Sequence, residues 1–202
     1  KPQGEEVTYD AQNPIDVTGF FTLDSRLIPY KDKVTVTYKL LTGEGVTGVG
    51  TLDENQKLTV TKCGTFKIKV ATSAVNDTAG DPLYSEGEAV ATLTVKKAAG
   101  SMGDVTVANI DSAKTDIIYG DTWTASTSST TNQDVSYTYW LSSQSEEQAT
   151  ATLPTAAGTY TVKATYAATD LYVACSKTAE FTILPRPAAL QWSETKLTYK
   201  GD

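Results

Sequence analysis

Apolar and polar residues alternate strictly along several stretches of this chain, which leaves few folds open to it. Apolar side chains stand at every second position in four segments, residues 34–40, 66–70, 135–141 and 160–166. Because successive side chains of a β-strand point to opposite faces, this period predicts strands with one buried and one solvent-facing side. Turn-forming Gly, Asp, Asn and Pro separate these segments, and no helical apolar stripe appears. The pattern therefore predicts an all-β protein built from antiparallel β-sandwiches.

Several of these segments occur twice in the sequence. Gly64–Val70 matches Gly158–Ala164, and Asp81–Val95 matches Thr169–Ile183. A weaker match joins "VTY" at residues 36–38 to "VSY" at residues 135–137. The spacing of the two main blocks differs, which we attribute to a loop inserted in the first copy around "SAVNDTAGD". The repeat length is about 90 residues, too long for a solenoid repeat and suited to a small all-β domain.

The repeat predicts the domain bounds. We expect a first sandwich over residues 1–98 and a second over residues 99–187. Residues 188–202 resemble the beginning of a unit, since "LTYK" at residues 197–200 echoes "VTYD" at residues 7–10. They are predicted to be the start of a truncated third repeat or a linker strand.

Composition and charge argue against two classes of partner. The chain carries a formal charge of −7, and its 17 basic residues are scattered, so we expect no nucleic-acid binding. No run of residues is long and apolar enough for a membrane span, so we expect no membrane insertion. The sequence starts at Lys1 and stops at Asp202, and we expect it to be a piece of a longer chain.

The residue types needed for common catalytic sites are missing. The chain contains no histidine, which excludes Ser–His–Asp and Cys–His machinery and the usual zinc sites. The paired carboxylates Glu5–Glu6 and Glu146–Glu147 are sequence neighbours, which on a strand point to opposite faces and cannot converge on one glycosidic bond. We therefore predict a protein that is not an enzyme and uses no cofactor.

Tryptophan offers the best candidate for ligand binding. If Tyr137, Tyr139 and Leu141 face the core, Trp140 faces outward, where an indole can stack on a sugar or anchor a partner protein. The alternative is that Trp140 covers the neighbouring sheet surface or a domain junction. Trp123 is predicted to lie in the core. A third tryptophan, Trp192, falls in the third-repeat segment and is expected at a junction.

Three further features of the sequence are each open to two interpretations. The loop "NDTAGD" offers oxygens of Asn76, Asp77 and Asp81 to a calcium ion, and the alternative is an ordinary polar loop. The lysines at matching strand positions, Lys69 and Lys163, are either isopeptide donors or solvent-facing charges. The two cysteines, Cys63 and Cys175, occupy non-equivalent positions in different repeats, so they are expected to be free thiols rather than a disulfide.

The repeated segments also resemble a known family. "PTAAGTYTVKATYAATDLYVACSKTAEFTI", together with "IIYGD" and "LTYKGD", resembles the bacterial immunoglobulin-like repeats found in tandem along secreted and cell-surface proteins. The resemblance implies two tandem immunoglobulin-like β-sandwiches located outside the cell. It implies a structural or adhesive stalk module whose partners are the adjacent repeats of the same chain. A glycan or a host surface protein would be the partner if the chain is instead a binding module.

Overall fold

The computed structural model describes residues 4–129 and 134–189, and it divides the chain into two compact units. Unit 1 holds the residues up to Gly100 together with Ala167–Ala174, and unit 2 holds Ser101–Tyr166 together with the residues from Cys175 onward. The domain bounds predicted from the sequence remain a prediction. The proposed third repeat falls largely on residues 190–202, which with Trp192 lie outside the described residues.

Unit 1 consists of strands joined by short turns, as the alternation predicts. A four-stranded sheet has the order β1-β9-β6-β3, a second sheet has the order β2-β5-β4, and β7 and β8 form a hairpin. Two 3₁₀ helices cover Val17–Phe20 and Ile28–Lys33. The strands are β1 Glu5–Thr8, β2 Ile15–Asp16, β3 Val36–Leu41, β4 Val49–Leu52, β5 Lys57–Lys62, β6 Gly64–Thr72, β7 Val75–Asn76, β8 Pro82–Tyr84 and β9 Gly87–Lys96.

Unit 2 is built in the same way. A four-stranded sheet has the order β11-β15-β14-β13, and β10 pairs with β12 in a second, smaller sheet. A single turn of 3₁₀ helix covers Glu146–Gln148. The strands are β10 Thr106–Asn109, β11 Ile117–Ile118, β12 Trp123–Ser126, β13 Ser136–Leu141, β14 Gly158–Tyr166 and β15 Cys175–Leu184. The chain is therefore mostly β-structure with sandwich-like packing, which confirms the all-β prediction.

The two larger sheets share one connectivity. In each, a long antiparallel hairpin is flanked by an edge strand on one side and a parallel strand on the other. The sequence prediction of purely antiparallel sandwiches is wrong for β1 with β9 and for β11 with β15. Alternation did not reveal this pairing, because the period of two shows which face of a strand is buried and not the direction of its neighbour. The register also reproduces the sequence match, because Tyr38 lies opposite Val70 and Tyr137 opposite Ala164.

Each unit has its own core, formed where inward-facing strand residues meet. In unit 1, Phe66 and Ile68 are fully buried, as predicted. They pack with residues of the first 3₁₀ helix, of β5 and of β9, namely Val17, Leu58, Val60, Leu93 and Val95. One predicted core position is wrong: Val36, at the start of β3, is 39% exposed because it lies opposite Thr72 and lines an open groove.

The core of unit 2 is rich in aromatic rings. Trp123 is buried, as predicted, and its ring lies 4.7 Å from Phe181 and 5.6 Å from Tyr139 between centroids. The predicted inward face of β14 is confirmed, since its four apolar residues, Tyr160, Val162, Ala164 and Tyr166, are all buried. Edge-to-face and offset ring contacts of this kind add to the stabilisation that comes from burial alone.

Unit 1 includes a segment from the second half of the sequence. Residues 167–174 connect β14 to β15, but their contacts are with unit 1. Ala98 pairs with this segment in parallel orientation: its N–H donates to Leu171 at 2.9 Å and its carbonyl accepts from Val173 at 3.0 Å. Leu171 packs against the core of unit 1, and the ring of Tyr172 meets that of Tyr9 edge-on. This segment therefore contributes both backbone pairing and apolar contacts to unit 1.

In the part of the chain that the structure describes, no helix has the length and apolar character needed to cross a membrane.

Candidate functional site

Trp140 lies at the wall of a cavity in unit 2. The indole is half-buried on β13, and the cavity beside it measures about 320 Å³. Its walls come from β13, from the start of β14 and from the segment between them; they include Trp140, Leu141, Gln144, Gln148, Leu153, Pro154 and Tyr160. The volume lies within the range typical of small-molecule pockets.

Short-range contacts hold the walls of this cavity in place. The chain after β13 turns back, and Thr150 exchanges two backbone hydrogen bonds with Tyr139, of 2.8 and 2.9 Å. Lys163 of β14 forms an ion pair with Glu146, which anchors the 3₁₀ turn. The hydroxyl of Tyr160 donates to the carbonyl of Ala156 at 3.1 Å. The segment that carries Gln144, Leu153 and Pro154 is thus fixed to the sheet on both sides.

The chemistry of this cavity suits a neutral ligand with an apolar face and polar edges. The indole of Trp140 and the ring of Pro154 offer apolar surface, while the amides of Gln144 and Gln148 donate and accept hydrogen bonds. None of the lining residues is charged. A pyranose ring combines C–H faces with hydroxyl groups in this way, and aromatic side chains stack on such faces.

The "NDTAGD" loop lies in unit 1, between β7 and β8. The backbone N–H groups of Ala79 and Asp81 donate to one carboxylate oxygen of Asp77, at 2.8 and 2.9 Å. The N–H of Asp77 donates in turn to the carbonyl of Asp81 at 2.9 Å. Asn76 and Asp81 are exposed on the same turn. The Asp77 carboxylate therefore holds the loop by accepting from its backbone N–H groups. Calcium binding by Asn76, Asp77 and Asp81 stays a prediction.

A buried carboxylate, that of Asp121, organises one end of unit 2. The sequence pattern did not indicate this role. The Asp121 side chain is only 6% exposed and accepts from Lys114 Nζ at 2.9 Å, Asn109 Nδ2 at 2.9 Å and the Ile118 N–H at 3.2 Å. Arg186 lies 3.6 Å away. The hydrogen bond from Lys114 is the main reason why the pKa of Asp121 lies below its usual value. The "YGD" at residues 119–121, which "YKGD" at residues 199–202 echoes, was the signal for this position, but the pattern alone did not indicate the partners of Asp121.

The remaining candidates have ordinary local partners. Lys69 pairs with Glu88 at 2.5 Å, as Lys163 does with Glu146. Both cysteines are free and half-buried, as expected. Burial raises the pKa of the Cys63 thiol.

Across residues 4–129 and 134–189, no three His, Cys, Asp or Glu side chains are close enough together to hold a metal ion. In the comparisons with known proteins, no family model matches the chain and no curated relative was found.

Proposed function

We propose that this chain is a non-catalytic structural module of a secreted or cell-surface bacterial protein, made of tandem immunoglobulin-like sandwiches that carry tension along a stalk. The observation that supports this proposal most is the parallel pairing of β1 with β9 in unit 1. A pull on the start of β1 and on the end of β9 acts along both strands in opposite directions. All the hydrogen bonds between them are then loaded together, rather than one after another.

The register of β1 supplies a matched test of this proposal. The N–H of Tyr9 donates to the carbonyl of Lys96 at 2.9 Å, so by strand alternation the N–H of Glu5 points toward β9 and that of Glu6 points away. Proline lacks the N–H group and removes a hydrogen bond only where one exists. Glu5→Pro should therefore weaken the β1–β9 pairing. Glu6→Pro keeps these hydrogen bonds and removes only the exposed ion pair of Glu6 with Lys96, so it should largely preserve the pairing.

Single-molecule force spectroscopy of the full chain, held at its two ends, measures this difference. We expect Glu5→Pro to lower the unfolding force of unit 1, and Glu6→Pro to leave it near the wild-type value. Equal unfolding forces for wild type and Glu5→Pro would contradict the role of β1 in resisting tension.

The cavity at Trp140 supports a second candidate, a binding module for a glycan or a host surface protein. Two observations support this alternative: the indole of Trp140 is half-buried, and the walls of the cavity contain no charged residue. The test is a glycan array followed by titration of any glycan that binds. Trp140→Ala should abolish binding and Trp140→Phe should retain part of it. Binding that is unchanged in Trp140→Ala would exclude this cavity as the site.

A further inference from the structure

An apolar groove in unit 1 lies at the end of the inner face of the four-stranded sheet. It measures about 480 Å³. One side is formed by β3, β6 and β9, and the other by residues 21–27, which precede the second 3₁₀ helix. The ring of Phe21 meets that of Tyr38 with centroids 5.9 Å apart. The apolar lining consists of Phe21, Leu23, Leu27, Val36, Tyr38, Val70 and Ala89.

Unit 2 fills the equivalent place with an aromatic ring of its own. Thr72 lies opposite Gly87 at the end of the hairpin in unit 1, and Tyr166 lies opposite Cys175 in unit 2. These positions correspond because the two hairpins align from Gly64 and Gly158 onward. The Tyr166 residue is 1% exposed. Unit 1 thus has a threonine and a glycine where unit 2 has a tyrosine and a cysteine, and the missing ring accounts for the groove.

The neighbouring residues show the effect of the missing ring. Val36 of unit 1 is 39% exposed, whereas Val135, which the repeat aligns with it, is half-buried against the core of unit 2. Ala89, on the inner face of β9, is exposed in unit 1, as is Lys177 at the matching position of unit 2, so the difference between the units is confined to the valine. When an aromatic ring covers exposed apolar surface of this kind, the free energy of the system falls.

The charges around the groove favour an uncharged occupant. Both carboxylate oxygens of Asp24 accept from the guanidinium of Arg26, at 3.0 and 2.9 Å. The other acidic residue of the lining, Glu88, pairs with Lys69. Because both carboxylates are paired with basic side chains, the groove offers apolar contact without an unpaired charge. A neutral phenyl or phenol ring matches this environment.

The groove also adjoins the free edge of the sheet. The strand order ends at β3, which supplies Val36 and Tyr38 to the groove. Alternate residues of an edge strand direct their N–H and C=O groups away from the sheet, where an extended peptide can pair with them. A peptide along β3 would direct every second side chain toward the inner face.

We propose that this groove binds a tyrosine or phenylalanine side chain of an extended segment of a partner protein, which adds to the edge of β3. The ring takes the place that Tyr166 occupies in unit 2, and the backbone of the segment pairs with β3. This inference goes beyond the proposed role in resisting tension and does not depend on it.

An NMR titration of the ¹⁵N-labelled chain tests the proposal. The probe is the capped peptide Ac-Thr-Thr-Tyr-Thr-Thr-NH2, and the comparison peptide has alanine in place of tyrosine. We expect saturable shifts of the amide signals of Val36, Tyr38 and Ala89, and binding at least about tenfold weaker for the alanine peptide. The isolated ring, as N-acetyltyrosinamide, should also bind more weakly than the peptide because it makes no strand contacts.

Variants of the groove complete the test. Thr72→Tyr, which restores the residue found in unit 2, should reduce affinity at least about tenfold, while Thr72→Ser should bind like the wild type. If Thr72→Tyr does not fold, Ala89→Leu narrows the groove from its exposed side and should have the same effect. Unchanged affinity in a folded filling variant would overturn the site. Equal affinity for N-acetyltyrosinamide and the peptide would overturn strand addition.

Discussion

The N–H of Cys63 donates a hydrogen bond of 2.9 Å to the carbonyl of Asp170, joining the link between β5 and β6 to a segment from the second half of the sequence. The thiol of Cys63 lies 3.9 Å from the carbonyl of the next residue, Leu171. Both residues belong to unit 1. A segment distant in sequence therefore completes this unit, and its removal should have measurable effects.

Leu171→Ala should destabilise unit 1 by about 1–3 kcal/mol, less than a fully buried leucine because Leu171 is only half-buried. A urea titration followed through the amide signals of β6 measures this change. Val173→Ala is the control, since Val173 is 44% exposed and should change stability little. Equal losses for the two variants would mean that the core contact of Leu171 contributes nothing specific.

Gly48 and Phe66 should show strong energetic coupling. A side-chain Cβ at Gly48 would lie 2.3 Å from the ring of Phe66, which is fully buried. Gly48→Ala should therefore displace the ring, and Phe66→Ala should cost about 3–5 kcal/mol through loss of burial.

The double variant tests this relationship by a thermodynamic cycle. With the ring removed, the added methyl group at residue 48 no longer clashes, so the combined loss should be smaller than the sum of the single losses. Chemical denaturation of the four proteins gives the coupling. Strict additivity would show that the close approach of Gly48 to Phe66 has no energetic role.

Asp16 should make unit 1 sensitive to acid. Its carboxylate accepts from Lys57 Nζ at 2.7 Å and from the N–H of Thr18 at 3.0 Å, and the bond from Lys57 is the main reason why its pKa falls to about 2. Because the folded pKa is lower than the unfolded one, the stabilising effect is complete above about pH 4 and is lost as the pH falls toward 2.

Asp16→Asn should flatten the decrease in urea midpoint over this acidic range. Lys57→Met should do the same, since it removes the main cause of the lowered pKa. The midpoints of unit 1, measured at a series of pH values, check both expectations. If the urea midpoint of Asp16→Asn falls with pH as steeply as that of the wild type, the ionisation of Asp16 does not cause the loss of stability in acid.

Asp77 should be needed for the shape of the β7–β8 loop, because it accepts two backbone hydrogen bonds there. Asp77→Ala should speed hydrogen exchange at the amides of Ala79 and Asp81, whereas Asp77→Asn keeps an acceptor oxygen and should preserve their protection. A calcium titration on the same proteins tests the ion-binding reading. A rise in melting temperature with calcium that is lost in Asp77→Asn would favour a calcium site, and no rise would leave Asp77 with its loop role alone.

Local pattern was sufficient for most of the strands and for much of the core. Phe66 and Val162 were assigned to buried faces from alternation alone, and Trp123 was also assigned correctly. Val36 was not, because its exposure depends on the open groove that it lines with Thr72. The partners of Asp121 were missed for a related reason: Lys114, Asn109 and Arg186 converge on it only after the turns around β11 have folded.

The positions of most strands and of their apolar faces follow from the order of residues alone, because side-chain alternation is a property of the local backbone. The packing of residues 167–174 within unit 1 and the groove beside Thr72 are visible only in three dimensions. Both depend on which distant residues come together and on the volume their side chains fill. Thr72 holds the position in unit 1 that Tyr166 holds in unit 2. The strand pattern is the same in both units, but the smaller side chain leaves a groove in unit 1.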